Sequence, residues 1–334
     1  MTALYRKYRP QNFDEVVGQD AVVRTLKNAI AAGQVRQAYL FAGPRGTGKT
    51  SMARILAKAV SCEQGPTPTP DNTCGACVAI TNGSSMDVVE MDAASQRGID
   101  DIRDIREKAM LQPAGRYKVY ILDEAHQLTD AAWQALLKLI EEPPPHLLFV
   151  FCTTELAKVL PTVRSRCQRL RFGPLPIADV AAVLMQAHGL GAADAHAAAA
   201  TSDGSIGRAL EGSAEDAMEA RDVAARLLKG TADATDPRRR LDGGKFLVGA
   251  GDRDELARRL RALSSLIRDL GVLSSHGEVR ALANADLKGQ LETLLRSFDA
   301  DRLLKAFANV DRALVALDRN ASPKIVADWV SLNI

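Results

Sequence analysis

Up to about residue 173, short apolar runs alternate with stretches of helical periodicity. The runs at 38–42, 87–91, 118–122, 147–152 and 168–172 have the length of buried strands. Between them apolar side chains recur at helical spacing, most clearly Trp133, Leu136, Leu137 and Ile140. Pro143-Pro144-Pro145 ends that stripe, because proline has no N–H for the helical ladder. The stripe reads as core, and the alternation predicts an α/β fold with a parallel sheet flanked by helices.

After Pro174 and Pro176 the short runs stop and alanine-rich helical sequence takes over. Residues 177–215 are expected to form a small helical unit. The stretch Gly230–Pro237, followed by Arg238–Arg240 and Gly243-Gly244, reads as an exposed connection. Beyond it, three apolar faces predict a helical bundle: Leu256, Leu260, Leu263, Ile267 and Leu270; Leu291, Leu294, Leu295 and Phe298; Leu303, Phe307, Val310 and Leu314. The expected division is 1–173, 174–230 and 231–334. The only low-complexity tract is Ala197–Ala200.

Composition narrows the function class. The 334 residues are 46% hydrophobic, enough for ordinary cores and against a disordered chain. A net charge of +2 supplies no bulk field, so any nucleic-acid contact must come from local basic placement. The first residues have no apolar signal core and no segment reaches membrane-spanning length, so a cytoplasmic, membrane-free protein is expected.

Candidate chemistry begins at Gly43-Pro44-Arg45-Gly46-Thr47-Gly48-Lys49-Thr50, a G-x-x-x-x-G-K-[ST] loop between the run at 38–42 and the helical Ser51–Leu56. The glycines are expected to let backbone N–H groups turn inward around the phosphates of a nucleoside triphosphate, where a Cβ would obstruct approach. Lys49 adds charge at the β/γ oxygens, Thr50 offers a hydroxyl to Mg²⁺, and the helix directs its positive end at the anion. Downstream, the run ending at Leu122 delivers Asp123-Glu124-Ala125-His126. Asp123 is suited to hold Mg²⁺, and Glu124 to orient the attacking water. An accidental glycine turn and a solvated acidic loop are the bland alternatives, and two such motifs in order weigh against both.

Five cysteines occur, three of them close together. Cys74-Gly75-Ala76-Cys77 has knuckle spacing for tetrahedral Zn²⁺, with Cys62 as a third thiolate. Unligated reduced thiols are the alternative, and a disulfide is the weaker reading in a reducing compartment. Cys152 and Cys167 read as structural thiols.

Further motifs follow in order: Tyr8-Arg9-Pro10, Phe13, Val16-Val17-Gly18-Gln19, Glu90–Ser95, Ala135–Lys138, Glu141-Glu142-Pro143-Pro144, Thr153-Thr154-Glu155 and Ser165-Arg166-Cys167. With the phosphate loop and the Asp-Glu-Ala-His box, they resemble the AAA+ clamp-loader subunits of bacterial DNA polymerase III over roughly residues 4–173. The resemblance implies an AAA+ P-loop ATPase domain, a helical lid and a helical collar. It implies partners too: related subunits in a hetero-pentamer, a sliding clamp and primer–template DNA.

The same resemblance assigns residues. Arg9, Pro10, Val17, Ser51 and Arg208 join the loop in holding nucleotide. Thr154 stands in the sensor-1 region, and Arg166 serves as a finger on a neighbouring subunit's ATP. A zinc module at about 62–77 normally has four cysteines, and alignment on Thr69-Pro70 puts Asp71 at the second, giving Cys62, Asp71, Cys74 and Cys77. Ser95, Arg97 and the following helix N-terminus are the candidate phosphate grips for DNA.

Within the family, the first half is similar to gamma/tau, the ATPase subunit. The length, the turn Gly204–Leu210 and the segment Arg312–Lys324 are more similar to delta-prime, often a stator. Gly207 stands where the gamma/tau pattern has its sensor-2 arginine, with Arg208 beside it. An ATP-turning motor is the leading expectation, a delta-prime-like stator the alternative, and another AAA+ DNA motor such as a branch-migration helicase the weaker one.

Overall fold

Five strands form one sheet: β1 (Ala38–Ala42), β2 (Val88–Asp92), β3 (Lys118–Asp123), β4 (Leu147–Thr153) and β5 (Gln168–Arg171), in the order β2-β3-β4-β1-β5 with every pairing parallel. The computed structural model describes residues 9–96, 98–210, 214–232, 236–248, 252–277 and 282–334; Tyr8 and Arg97 lie outside these. The chain divides into two compact units, Met1–Leu175 and Pro176–Ile334.

The first unit adds helices α1 (Asp20–Ala31), α2 (Lys49–Ser61), α3 (Gly75–Asn82), α4 (Ile99–Ala109), α5 (Asp130–Glu141) and α6 (Pro161–Arg164). Every residue of β1 and β4 is buried, as strands covered on both faces require. At the edge, β5 buries only Leu170 and exposes Gln168, Arg169 and Arg171. Alternating side chains feed two cores. Leu40, Tyr120, Leu122, Phe149 and Phe151 pack with Trp133 and Leu136 of α5, whereas Tyr39, Phe41, Val119, Ile121, Leu148 and Val150 pack with Met52, Ile55 and Leu56 of α2. Trp133 lies 5.1 Å from Phe151, which stacks on Phe149 at 5.5 Å.

The second unit is helical throughout its described residues: α7 (Ile177–His188), α8 (Ala192–Ala200), α9 (Ile206–Ala209), α10 (Ala214–Ala232), α11 (Pro237–Val248), α12 (Arg253–Ser274), α13 (Lys288–Leu294), α14 (Ala300–Asp318) and α15 (Pro323–Leu332). Leu256, Leu260, Leu263, Ile267 and Leu270 form the buried face of α12, in one core with Leu227 and Leu228 of α10. The helix spanning residue 230 is therefore tied to the helices C-terminal to it. Buried Arg259 reinforces the tie: its Nη2 donates to Glu219 Oε1 of α10 at 2.7 Å and pairs with Glu255, while Nη1 donates to Leu247 O of α11 at 3.0 Å.

Two expectations are corrected here. The supposed connection at 230–244 is helical over 230–232 and 237–244, with 233–235 outside the described residues; Pro237 occupies the first helical position, where its missing N–H costs nothing, and Asp236 Oδ1 accepts from Arg238 N at 2.9 Å. On α14 the buried face runs Leu303, Ala306, Val310, Ala313 and Leu317, and Phe307 is 44% exposed. Two small alanines complete the stripe in its place.

Trp133→Ala should therefore cost about 3–5 kcal/mol, the usual range for emptying a buried aromatic site, and Phe307→Ala about 0.5 kcal/mol or less. Chemical denaturation followed by circular dichroism checks both, and equal losses would contradict this placement of the two rings.

Candidate nucleotide site and metal centre

The strand ends position the phosphate loop. Ala42 is level with Thr153 across the β1–β4 pair, and Gly43 N donates to Thr153 O at 3.1 Å. A Cβ at Gly43 would lie 2.3 Å from Phe172 O, so the neighbouring backbone by itself requires glycine here, a reason beyond the phosphate approach expected from the motif. Gly46 and Gly48 have φ of 74° and 92°, the left-handed conformation that favours glycine. Thr47 Oγ1 donates to Pro44 O at 2.8 Å, and Lys49 Nζ donates to Gly43 O and Pro44 O, each at 2.8 Å. The loop thus gathers its own cation beneath its carbonyls at the start of α2. Pro44, Arg45 and Gly46 are exposed, and Ser51 is half-buried in the first turn of α2.

Across the sheet, Thr50 Oγ1 donates to Asp123 Oδ2 at 2.7 Å, and Asp123 Oδ1 accepts from Glu124 N at 2.9 Å. A hydroxyl and a carboxylate in contact are hard oxygen donors, the set that suits Mg²⁺. Glu124 has φ 46° and ψ 42°, a left-handed backbone at a non-glycine residue. Its Oε2 accepts from Thr154 Oγ1 at 3.0 Å and lies 3.3 Å from His126 Nδ1. His126 Nε2 is 3.4 Å from Glu155 Oε1, and Thr153 Oγ1 lies 3.2 Å from His126 Nδ1. The imidazole thus sits between two carboxylates. Beneath, Cys152 is fully buried; burial first, then the Asp123 charge, pushes its thiol far up, so it stays protonated and inert. Sequence reasoning passed over His126 and Glu155, whose signal was their place in the motifs 123–126 and 153–155.

The remaining expected nucleotide contacts are spread out. Arg9, Pro10 and Val17 are half-buried in the N-terminal segment, which Gln19 closes onto Gly173 by donating from Nε2 to Gly173 O at 2.8 Å. Arg208 belongs to the second unit, where Nη1 donates to Asp203 Oδ2 at 3.1 Å. Arg166, after α6, is a surface residue: Nη2 lies 2.8 Å from Glu141 Oε1, and Nη1 donates to Thr162 O at 2.9 Å. Of the DNA candidates, Ser95 Oγ donates to Asp92 O at 3.1 Å, Gly98 N donates to Asp101 Oδ2 at 3.1 Å, and Arg97 lies outside the described residues. The start of α4 is self-capped by a carboxylate, which disfavours a phosphate there.

Cys62, Asp71, Cys74 and Cys77 converge, their ligand atoms all within 4.8 Å of one another. Cys62 follows the end of α2, Cys74 caps α3, and Cys77 lies on its first turns. The Sγ atoms of Cys62 and Cys74 are 4.0 Å apart, close to the roughly 3.8 Å edge of a tetrahedron with Zn–S of about 2.3 Å. Asp71 Oδ1 accepts from Thr73 N and Cys74 N, each at 3.0 Å, and these bonds, Cys74's first, pull its carboxyl down to about 2. A carboxylate so held is a ready anionic ligand, so the donor set fits Zn²⁺. Burial pushes the Cys77 thiol up. Beside the group, burial lowers the pKa of the Lys58 ammonium, which the Cys77 and Glu15 charges oppose.

Residues 18–176 match the family described as "DNA polymerase III, delta subunit". The Mycobacterium tuberculosis DNA polymerase III subunit gamma/tau is 54% identical over 185 residues, 54% of this chain and 32% of that protein. The Bacillus subtilis DNA polymerase III subunit tau is 56% identical over 171 residues, 51% of this chain and 30% of that one. This chain therefore spans about a third of the length of the curated relatives it matches. Among solved structures, the Thermotoga maritima RuvB Holliday junction branch migration motor aligns over 86% of this chain and 90% of its own, at 22% identity and a TM-score of 0.48. So distant a likeness carries no functional weight. Among the described residues no helix is long and apolar enough to cross a membrane.

Gly43→Ala should destabilise the nucleotide-free protein by about 1–3 kcal/mol, the usual cost of overpacking, because the clash is with Phe172. Denaturation without nucleotide checks this; unchanged stability with lost ATP binding would return the glycine to the phosphate.

Proposed function

We propose that this chain is an ATPase subunit of a DNA polymerase III clamp loader, of gamma/tau type in its first half. The observation that carries the reading is the joining of the two motifs at the sheet's carboxyl edge, Thr50 to Asp123 and Thr154 to Glu124. The 54% identity to a protein named gamma/tau supports the assignment of that site to clamp loading.

In this reading the loop N–H groups and Lys49 hold the ATP phosphates, with Pro44, Arg45, Thr47 and Ser51 lining the loop and Arg9, Pro10 and Val17 completing the nucleotide site. Thr50 and Asp123 hold Mg²⁺, which offsets charge on the phosphates. Glu124 accepts a proton from water as that water attacks the γ-phosphorus; ADP and phosphate leave. Thr154 holds the Glu124 carboxylate in place. Arg166 acts in trans, so its Glu141 contact must open when a neighbour docks. That pair is surface-exposed and worth little, roughly 0–1 kcal/mol, so docking can displace it. The partners are other clamp-loader subunits in a hetero-pentamer, the sliding clamp and primer–template DNA, in the cytoplasm.

The delta-prime-type stator is the second reading, favoured by Gly207 at the sensor-2 position and by the Arg208–Asp203 pair. Substitutions separate the two. Lys49→Ala should abolish ATP binding, and Glu124→Gln should keep it while slowing turnover at least about a hundredfold. Within the reconstituted complex, Arg166→Ala should remove about a thousandfold of the stimulated rate and leave nucleotide affinity intact. A complex fully active with Lys49→Ala yet impaired by Arg166→Ala would make this chain the stator.

We also infer that Cys62, Asp71, Cys74 and Cys77 hold one Zn²⁺ per chain. Asp71→Ala should weaken zinc retention about 10–100-fold, whereas Asp87→Ala should not, because Asp87 instead accepts from Ala114 N and Gly115 N. Elemental analysis against a competing chelator reads both, and a metal-free native protein would end the assignment.

A further inference from the structure

Lys58 is 2% exposed although it carries a charge. Its ammonium donates to Gln11 Oε1 at 2.6 Å and Asn72 Oδ1 at 3.0 Å, and reaches Gln11 O at 3.4 Å. These acceptors are neutral, and a buried ammonium needs negative charge close by. The acidic groups whose charges act on it are Cys77, in the metal cluster, and Glu15. Three thiolates and one carboxylate around a dication would leave a net negative cluster, a counter-charge for this ammonium alongside Glu15.

The same contacts reach the N-terminal segment. Asn72 follows Asp71 directly, in a left-handed conformation at φ 59°. Gln11 Nε2 donates to Arg9 O at 2.8 Å, and Gln11 N donates to Glu15 Oε2 at 2.6 Å. From the other wall, Thr81 Oγ1 on α3 donates to Cys77 O at 2.9 Å and lies 3.4 Å from Gln11 Oε1. Asp71, Asn72, Lys58, Gln11 and Arg9 thus form one continuous chain of bonds. Its midpoint stands on α2, the helix that opens with Lys49 at one end and runs to Cys62 at the other.

We propose that Lys58 is a positioning residue that couples the metal cluster to the Arg9–Gln11 segment, so that the loaded metal holds this part of the proposed nucleotide site in place. The coupling rests on the proposed nucleotide site for its functional consequence, and on the bonds themselves for its existence. The metal then has a use beyond folding its own module: it fixes the ammonium, the ammonium fixes Gln11, and Gln11 fixes the backbone at Arg9. Lys49 and the phosphate loop make none of these contacts, so phosphate binding is expected to persist when the chain of bonds is broken.

The test uses the full chain with zinc, ATP and inorganic tripolyphosphate, which has the phosphates without the base. Lys58→Met should lower zinc retention against a chelator about tenfold and weaken ATP about tenfold, with tripolyphosphate affinity unchanged. Stripping zinc from the native chain should weaken ATP equally, and stripping Lys58→Met should add nothing. Gln11→Ala should weaken ATP while retaining zinc, which keeps the proposal testable if Lys58→Met does not fold. Amide exchange across residues 9–16 should accelerate on stripping. Unchanged exchange there, or equal losses for ATP and tripolyphosphate, would overturn the coupling. A native chain that binds no ATP would sink the nucleotide reading alone, and the exchange result would still decide the coupling.

Discussion

Parallel pairing of β1, β3 and β4 is the constraint on which the rest depends. Parallel strands send all their carboxyl ends to one edge, and here Ala42 is level with Thr153 while Asp92 is level with Asp123. That register puts the loop after β1, the acid at the end of β3 and the threonines at the end of β4 within hydrogen-bonding reach. A slip of one residue in any pair would turn Asp123 or Thr153 toward the opposite face. The buried aromatic stack of Tyr120, Phe149, Phe151 and Trp133 resists such a slip, so one packed layer fixes both stability and site geometry.

Much of this was legible in the sequence, for a physical reason. Strands covered on both faces must be apolar throughout, so β1, β3 and β4 announced themselves as uninterrupted runs. Where burial was partial, the pattern misled. On α14, Phe307 outweighed Ala306 in the apolar pattern, yet the alanine is buried and the ring is exposed. Pro237 and two glycines read as a break, although proline is compatible with the first position of α11.

The site divides along the same line. Motif spacing found the loop, Asp123, Glu124 and the cysteines because those chemistries need local sequence. Lys58 was invisible, since a lysine on a helix is ordinarily solvated, and its burial depends on Gln11 and Asn72, from two other parts of the chain. The reason for Gly43 was likewise hidden in the distant Phe172. Asp71 could be located only by alignment, because an aspartate before a turn usually does no more than cap it.

The left-handed backbone at Glu124 sets the proposed catalytic base against the fold. A non-glycine residue in this region carries roughly 1–2 kcal/mol of strain, and glycine there would be relieved of it. The position therefore favours glycine for stability and a carboxylate for chemistry. Selection for a sturdier chain alone would erode the Glu124 side chain first, so a thermostabilised variant obtained without an activity screen is most exposed to silent loss of turnover at this residue.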